Sequence, residues 1–381
     1  MPRLAGKYQG YEYSSPYAKV YDIYYARQYH ETRPKVKKKK NLLQLIISSI
    51  ILILISITTI PVYYKNITKT FLNPTPYKNV NIDLKEFVHP SYLSNSIFLG
   101  THLFEYASEG KEAQMIKPEE NTNMPVLGNS LKLLMDEYKT VIPAIYVWDY
   151  DTGNYIDINA SQTYPTASII KIPVLIDLFK SIENNQVALD DVMSLTEYYR
   201  TEGSGSLQFK AENSKYTIDE LANRMITESD NSATNMLMSK IGGMPDVNAQ
   251  ARSWGLKNTE VHTWLPDLKG TNFSTAREMG TMLYNIDSNE KFLTQTSRNK
   301  IFEYMGHVHN DRLIQAGLGA GAKFYHKTGD IGSMLGDAGI VITPNGKKYI
   351  VVIFARRPHN SIAGKDFIVK ASKIIYSYMV K

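Results

Sequence analysis

The chain has 381 residues, 43% of them hydrophobic and 21% charged, which is enough apolar material for one large folded domain with appendages and excludes a wholly disordered chain. Its net charge of +6 sits in one place: Arg33, Lys35, Lys37, Lys38, Lys39 and Lys40 stand together with no acid among them, and without those six the remainder is neutral, so no nucleic-acid surface is expected on the main domain. The absence of cysteine excludes disulfides, a thiolate metal site and a lipid-modified cysteine anchor.

Residues 1–32 are rich in tyrosine (Tyr8, Tyr11, Tyr13, Tyr17, Tyr21, Tyr24, Tyr25, Tyr29) without a sustained period of 2 or 3.6, the pattern of a tail lacking stable structure. From Leu42 to Ile60 no residue is charged, and Ile46, Ile47, Ile50, Ile51, Leu52, Ile53, Leu54 and Ile55 fill the middle. About 20 apolar residues cross a bilayer, and Ser48, Ser49, Ser56 and Thr58 can bond back to a helix backbone. We therefore expect a transmembrane helix over residues 41–61. The lysine cluster before it keeps residues 1–40 in the cytoplasm and sends the C-terminal domain to the other side of the cell membrane. A cleaved signal peptide fits less well, because the apolar run exceeds the usual length of about 7–15 residues and no small-x-small site precedes Pro61. Residues 62–128, with Pro74, Pro76, Pro90, Pro118 and Pro125, read as a stalk that holds the domain off the membrane.

The main domain is expected over residues 129–381. It opens with an amphipathic segment from Asn129 to Tyr138, followed by strands Ile142–Trp148 and Tyr155–Asn159 joined as a hairpin by Asp151-Thr152-Gly153-Asn154. Ser168 to Glu183 is apolar nearly all round and reads as a central buried helix in which Pro173 forfeits one backbone hydrogen bond. Thr217–Glu220 and Thr275–Glu278 have the pattern of capping boxes, and Ser229-Asp230-Asn231 forms the turn between two helices. A second hairpin turns at Pro344-Asn345-Gly346 between Ala338–Thr343 and Tyr349–Ala355, and a last amphipathic helix runs from Lys365 to Met379.

The chemistry centres on Ser168-Ile169-Ile170-Lys171, which places a hydroxyl and an amine on one helix face. A serine is a weak nucleophile unless a base takes its proton, and a lysine whose charge is disfavoured by burial or a neighbouring cation can be that base. The pattern recurs at Ser288–Lys291 and Ser297–Lys300, which read as solvated helix surface. Ser168 differs in its company: Ser229-Asp230-Asn231 follows 61 residues on, and Lys327-Thr328-Gly329 another 98 residues on, each the only such tripeptide in the chain.

With these motifs, with Pro165-x-Ala167 leading into Ser168, with Gly203-Ser204-Gly205-Ser206-Leu207, and with Asp337-Ala338-Gly339-Ile340-Val341, the chain from about Asn129 onward resembles the class A β-lactamase and penicillin-binding-protein superfamily. The resemblance implies an α+β fold, an antiparallel sheet packed against helices plus an all-helical subdomain, and a serine hydrolase acting on cyclic amides. Ser168 would be the nucleophile and Lys171 its base, Ser229 would pass a proton to the departing nitrogen, and Asn231 would hold the substrate amide. Lys327 and Thr328 would bind the substrate carboxylate, with Gly329 in the same segment, and the backbone N–H of Asp330 would join that of Ser168 in an oxyanion hole. Where class A enzymes carry the glutamate that activates water, this chain reads Trp264-Leu265-Pro266-Asp267, so either Asp267 serves as the deacylation base or hydrolysis of the acyl-enzyme is slow. A D-alanyl-D-alanine peptidase of the cell wall and a penicillin-binding sensor that does not turn over stay open beside the β-lactamase reading. No cofactor is expected, and His307, His309 and His326 lack the spacing of metal ligands.

Overall fold

The computed structural model describes residues 114–381. The tyrosine-rich tail, the Leu42–Ile60 stretch and most of the expected stalk lie outside the described residues. Among the described residues no helix is long and apolar enough to cross a membrane.

The apolar runs of the sequence become strands because both of their faces are covered. In β1 (Ile142–Asp149), Ala144, Tyr146 and Trp148 point into one core while Ile145 and Val147 point into another. In β9 (Lys348–Arg356), Ile350, Val352 and Phe354 alternate in the same way with Tyr349, Val351, Ile353 and Ala355. With β2 (Tyr155–Ile158), β7 (Lys323–Ile331) and β8 (Met334–Ile342) they make an antiparallel sheet in the order β2-β1-β9-β8-β7. Both expected hairpins are present, with Ile145 opposite Ile158 and Val341 opposite Tyr349.

One face of this sheet is covered by α1 (Pro125–Glu137) and α8 (Ala363–Met379), through Leu127, Leu131, Phe367, Ile368 and Ile375. The other carries the helical part of the fold: α2 (Lys171–Glu183), α3 (Ile218–Thr227), α4 (Asn231–Lys240), α5 (Met244–Ser253), α6 (Ala276–Ser288) and α7 (Gln295–Met305). Short pairs β3 (Thr163–Pro165) with β6 (Phe273–Thr275), and β4 (Val192–Ser194) with β5 (Lys215–Thr217), tie the connections together. The α+β architecture with a helical subdomain is the one the sequence resemblance implies.

Three details depart from the sequence reading. The folded body begins before residue 129: α1 starts at Pro125, Met124 and Leu127 are buried, Trp148 Nε1 donates to the Glu119 carbonyl at 2.9 Å, and Arg277 pairs with both Glu120 and Asp157. Pro125, expected in the stalk, stands instead at the first helical position, where its missing N–H leaves nothing unpaired. For a similar reason Pro173 forfeits no bond: a 3₁₀ turn covers Ala167–Ile170 and α2 begins only at Lys171, so Pro173 sits in a first turn whose N–H groups have no partner in the helix anyway. The Thr217–Glu220 capping box is complete, whereas at Thr275 only half of one forms. The Glu278 carboxylate instead accepts from the N–H groups of Lys257 at 2.9 Å and Asn258 at 3.0 Å and from the Thr259 hydroxyl at 2.6 Å. It tethers the loop after α5 rather than its own helix end.

Helix α6 lies against β1 where Gly280 faces the ring of Tyr146, and a Cβ at Gly280 would stand 2.4 Å from Tyr146 Cδ1. That ring cannot move aside easily, since its hydroxyl donates to Glu120 at 2.9 Å and the Arg277 guanidinium lies 5.3 Å from its centroid. Gly280→Ala is therefore expected to destabilise the domain by about 1–3 kcal/mol through overpacking, despite the better helix propensity of alanine. Urea unfolding of the two proteins measures this, and an equal or higher midpoint in the variant would contradict it.

Candidate active site

The site lies where the 3₁₀ turn Ala167–Ile170 and the start of α2 meet the edge strand β7 and the turn between α3 and α4. Two residues at this junction have left-handed backbone conformations that side chains other than glycine seldom adopt: Ala167, φ 47°, just before the nucleophile candidate, and Ser229, φ 56°. Gly329 allows the close approach of β7, because a Cβ there would come within 2.5 Å of the Thr166 carbonyl oxygen. Asp230 anchors the Ser229 turn. Its carboxylate caps α4 by accepting from Ala233 N–H at 2.9 Å and also accepts from Leu207 N–H at 2.8 Å, so the Gly203–Leu207 turn and α4 share one buried anchor.

Lys171 is completely buried, and its Nζ is ringed by four oxygens: Ser168 Oγ at 3.1 Å, Ser229 Oγ at 3.1 Å, the Ser229 carbonyl at 2.6 Å and Asn231 Oδ1 at 3.0 Å. Burial holds this amine well below the ordinary lysine range, the Lys327 cation lowers it further, and Asp230 opposes both. A neutral amine has two N–H groups and one lone pair. The Ser229 carbonyl and Asn231 Oδ1 can only accept, so they take the N–H groups and the lone pair is left for a serine hydroxyl. Asn231 is fixed for this task, since its Nδ2 donates to the Glu202 carbonyl at 3.3 Å and its backbone N–H to the Ser204 carbonyl at 3.0 Å. The arrangement can remove a proton from Ser168 and relay one through Ser229.

Lys327 is buried on β7 as well, and its ammonium donates to the Thr328 carbonyl at 2.9 Å. Burial pulls it down to about 7, against the attraction of Asp337. Neighbouring His326 is buried beside it. It stacks on Phe324 with centroids 4.2 Å apart, and its Nδ1 also bonds to buried Asp337 at 2.8 Å. His307 and His309 lie elsewhere, bonded to the Glu303 and Thr227 carbonyls, and among the described residues no group of three or more acids and histidines is placed to hold a metal.

The structure thus brings together Ser168, Lys171, Ser229, Asn231 and the Lys327–Gly329 strand. Asp267 makes no hydrogen bond to these groups among the described residues. That carboxylate is buried and engaged in its own loop, accepting from the Thr271 hydroxyl at 3.0 Å and the Asn272 N–H at 2.6 Å. Leu265 is buried too, its backbone clipped at both ends by Asn235, which accepts from Leu265 N–H at 3.0 Å and donates to its carbonyl at 2.7 Å. Sequence reasoning passed over Asn235, although it stands one turn after Asn231 on α4 and so had to share its face.

Lys327 also sets a pH dependence. In the unfolded chain it titrates in the ordinary lysine range, near 10.5, and in the fold at about 7, so between those values the unfolded state binds more protons and stability rises with pH. Lys327→Met should raise the unfolding free energy at pH 7 by on the order of a few kcal/mol and weaken its rise toward pH 10. Chemical denaturation across this range checks it, and a variant less stable than the parent at pH 7 would be the contrary result.

A family model described as the beta-lactamase enzyme family matches residues 127–379. The beta-lactamase of Bacteroides uniformis is 24% identical over 275 residues, covering 67% of this chain and 92% of its own length. The extended-spectrum beta-lactamase PER-1 of Pseudomonas aeruginosa is 20% identical over 280 residues, covering 69% and 90%. Among solved structures, PBP-A is similar with a TM-score of 0.66 at 34% identity, over 69% of this chain and 98% of its own; one of these structures is an acyl-enzyme complex of a leucine-to-glutamate mutant with penicillin G. The family match spans well over half of the chain and contains all three motifs that meet at Lys171, and on that ground this chain belongs to the beta-lactamase enzyme family.

Proposed function

We propose that this protein is a serine hydrolase acylated on Ser168 by β-lactams, with slow release of the acyl group. The observation that carries the reading is the buried Lys171 amine, placed 3.1 Å from both serine hydroxyls with its N–H groups already accepted elsewhere. In the proposed acylation, the Lys171 lone pair takes the Ser168 proton as Oγ attacks the β-lactam carbonyl carbon. The developing oxyanion is held by the backbone N–H groups of Ser168 and Asp330. When the carbon–nitrogen bond breaks, the nitrogen receives the Ser229 proton, which Lys171 replaces. Asn231 orients the side-chain amide, and Lys327 and Thr328 hold the carboxylate.

Deacylation needs a base beside the ester. Leucine cannot accept a proton, and the Asp267 carboxylate accepts from Thr271 and Asn272 within its own loop. Among the described residues no carboxylate is hydrogen-bonded to Ser168 or Lys171. This favours a long-lived acyl-enzyme and keeps a D-alanyl-D-alanine peptidase of the cell wall as the second reading. After a penicillin pulse, intact-protein mass spectrometry should find an adduct that persists, is absent in Ser168→Ala, and forms at least about 100-fold more slowly in Lys171→Ala. Leu265→Glu should shorten its lifetime. Multiple turnovers per second by the unaltered protein, stopped by Asp267→Asn, would reverse the assignment.

The reading includes an anchor through residues 42–60 with the catalytic domain outside the cytoplasm, supported by the lysine cluster before the apolar run. Protease added to spheroplasts is expected to digest the domain around Ser168 and spare the N-terminal tail. Full protection of the domain would refute this topology.

A further inference from the structure

The residue after the Lys-Thr-Gly segment is an acid, and its side chain has no part in the mechanism above, which uses only its backbone. Asp330 sits two residues beyond Thr328 on β7, so both side chains lie on the same face of the strand, about 7 Å apart. Its carboxylate is 58% exposed and is met by the Arg357 guanidinium, which is only 7% exposed. Arg357 is held from several directions. Its backbone N–H donates to the Ser333 carbonyl at 2.9 Å, Nη1 donates to the Ser361 carbonyl at 3.3 Å, and Nη2 reaches the Ile331 carbonyl at 3.4 Å as well as Asp330. A second guanidinium, Arg312, attracts the same carboxylate through space.

A bare carboxylate at Asp330 would repel a substrate carboxylate bound at Lys327 and Thr328, and burying Arg357 behind it cancels that repulsion. We propose that the Asp330–Arg357 ion pair determines specificity: Asp330 weakens this subsite for anionic substrates, and Arg357 sets how much of that repulsion a substrate meets. The inference rests on the proposed reading of Lys327 and Thr328 as the carboxylate subsite. Two unit charges about 7 Å apart at a partly exposed site, discounted for solvent screening, change a rate by on the order of tenfold.

The test compares acylation of Ser168 by penicillin G with acylation by its methyl ester, which has the same reactive ring without the negative charge. The readout is the ratio of the two second-order rate constants. Arg357→Gln is expected to lower the acid-to-ester ratio about tenfold by exposing the Asp330 charge, and adding Asp330→Asn to that variant should bring the ratio back to or above that of the parent. Asp330→Asn alone should raise the ratio, and this arm stands even if Arg357→Gln does not fold. If Arg357→Gln slows acid and ester alike, or the ratio moves in no variant while Ser168 still labels, the ion pair is only structural and the inference falls. If neither compound forms an adduct on Ser168 of the parent, the proposed function itself fails, a result distinct from an unmoved ratio.

Discussion

The site depends on keeping one amine dry. Lys171 is wholly buried, and an ammonium with no counter-ion in contact is costly in such a place, so burial and the nearby Lys327 cation disfavour its charged form. What would be a liability in a core suits the proposed role of a base, because the surrounding oxygens are of two kinds. Two pure acceptors occupy the N–H groups, and two hydroxyls share the lone pair. A lysine left in solvent would be protonated at neutral pH and could do none of this.

Keeping that amine dry requires three chain segments to close on it, and each does so by a different device. The 3₁₀ turn brings Ser168 in through a left-handed Ala167, the Ser229 turn is pinned by Asp230, and β7 comes close because Gly329 has no side chain to obstruct Thr166. The sheet is the rigid reference for all three. It is covered on both faces, and its central strands are almost fully buried. Its edge strand, left open on one side, is the place where a substrate can lie alongside the catalytic groups.

The loop after α5 is held from within by polar side chains. Asp267 and Asn235 spend their hydrogen-bonding capacity on the loop's own backbone, Asp267 on Asn272 and Asn235 on Leu265. Glu278 does the same from α6 at Lys257 and Asn258. The loop is thus held in shape by polar side chains that bond to its own backbone.

By itself the sequence determined the strands of the two hairpins, the central and C-terminal helices and the three motifs. These depend on local periodicity, on turn residues such as Pro344-Asn345-Gly346 and on motif order, all of which are written in consecutive residues. It could not decide what depends on the distance between remote segments. The burial that lowers Lys171 arises only when α2, the Ser229 turn and β7 meet. Whether Asp267 is free or engaged turns on Thr271 and Asn272 folding back on it, and whether Pro173 breaks a bond turns on where the helix begins. Glu278 had two partners within reach, its own helix end and the Lys257–Asn258 backbone. Packing chose the second, because those N–H groups had no other acceptor once α5 had ended.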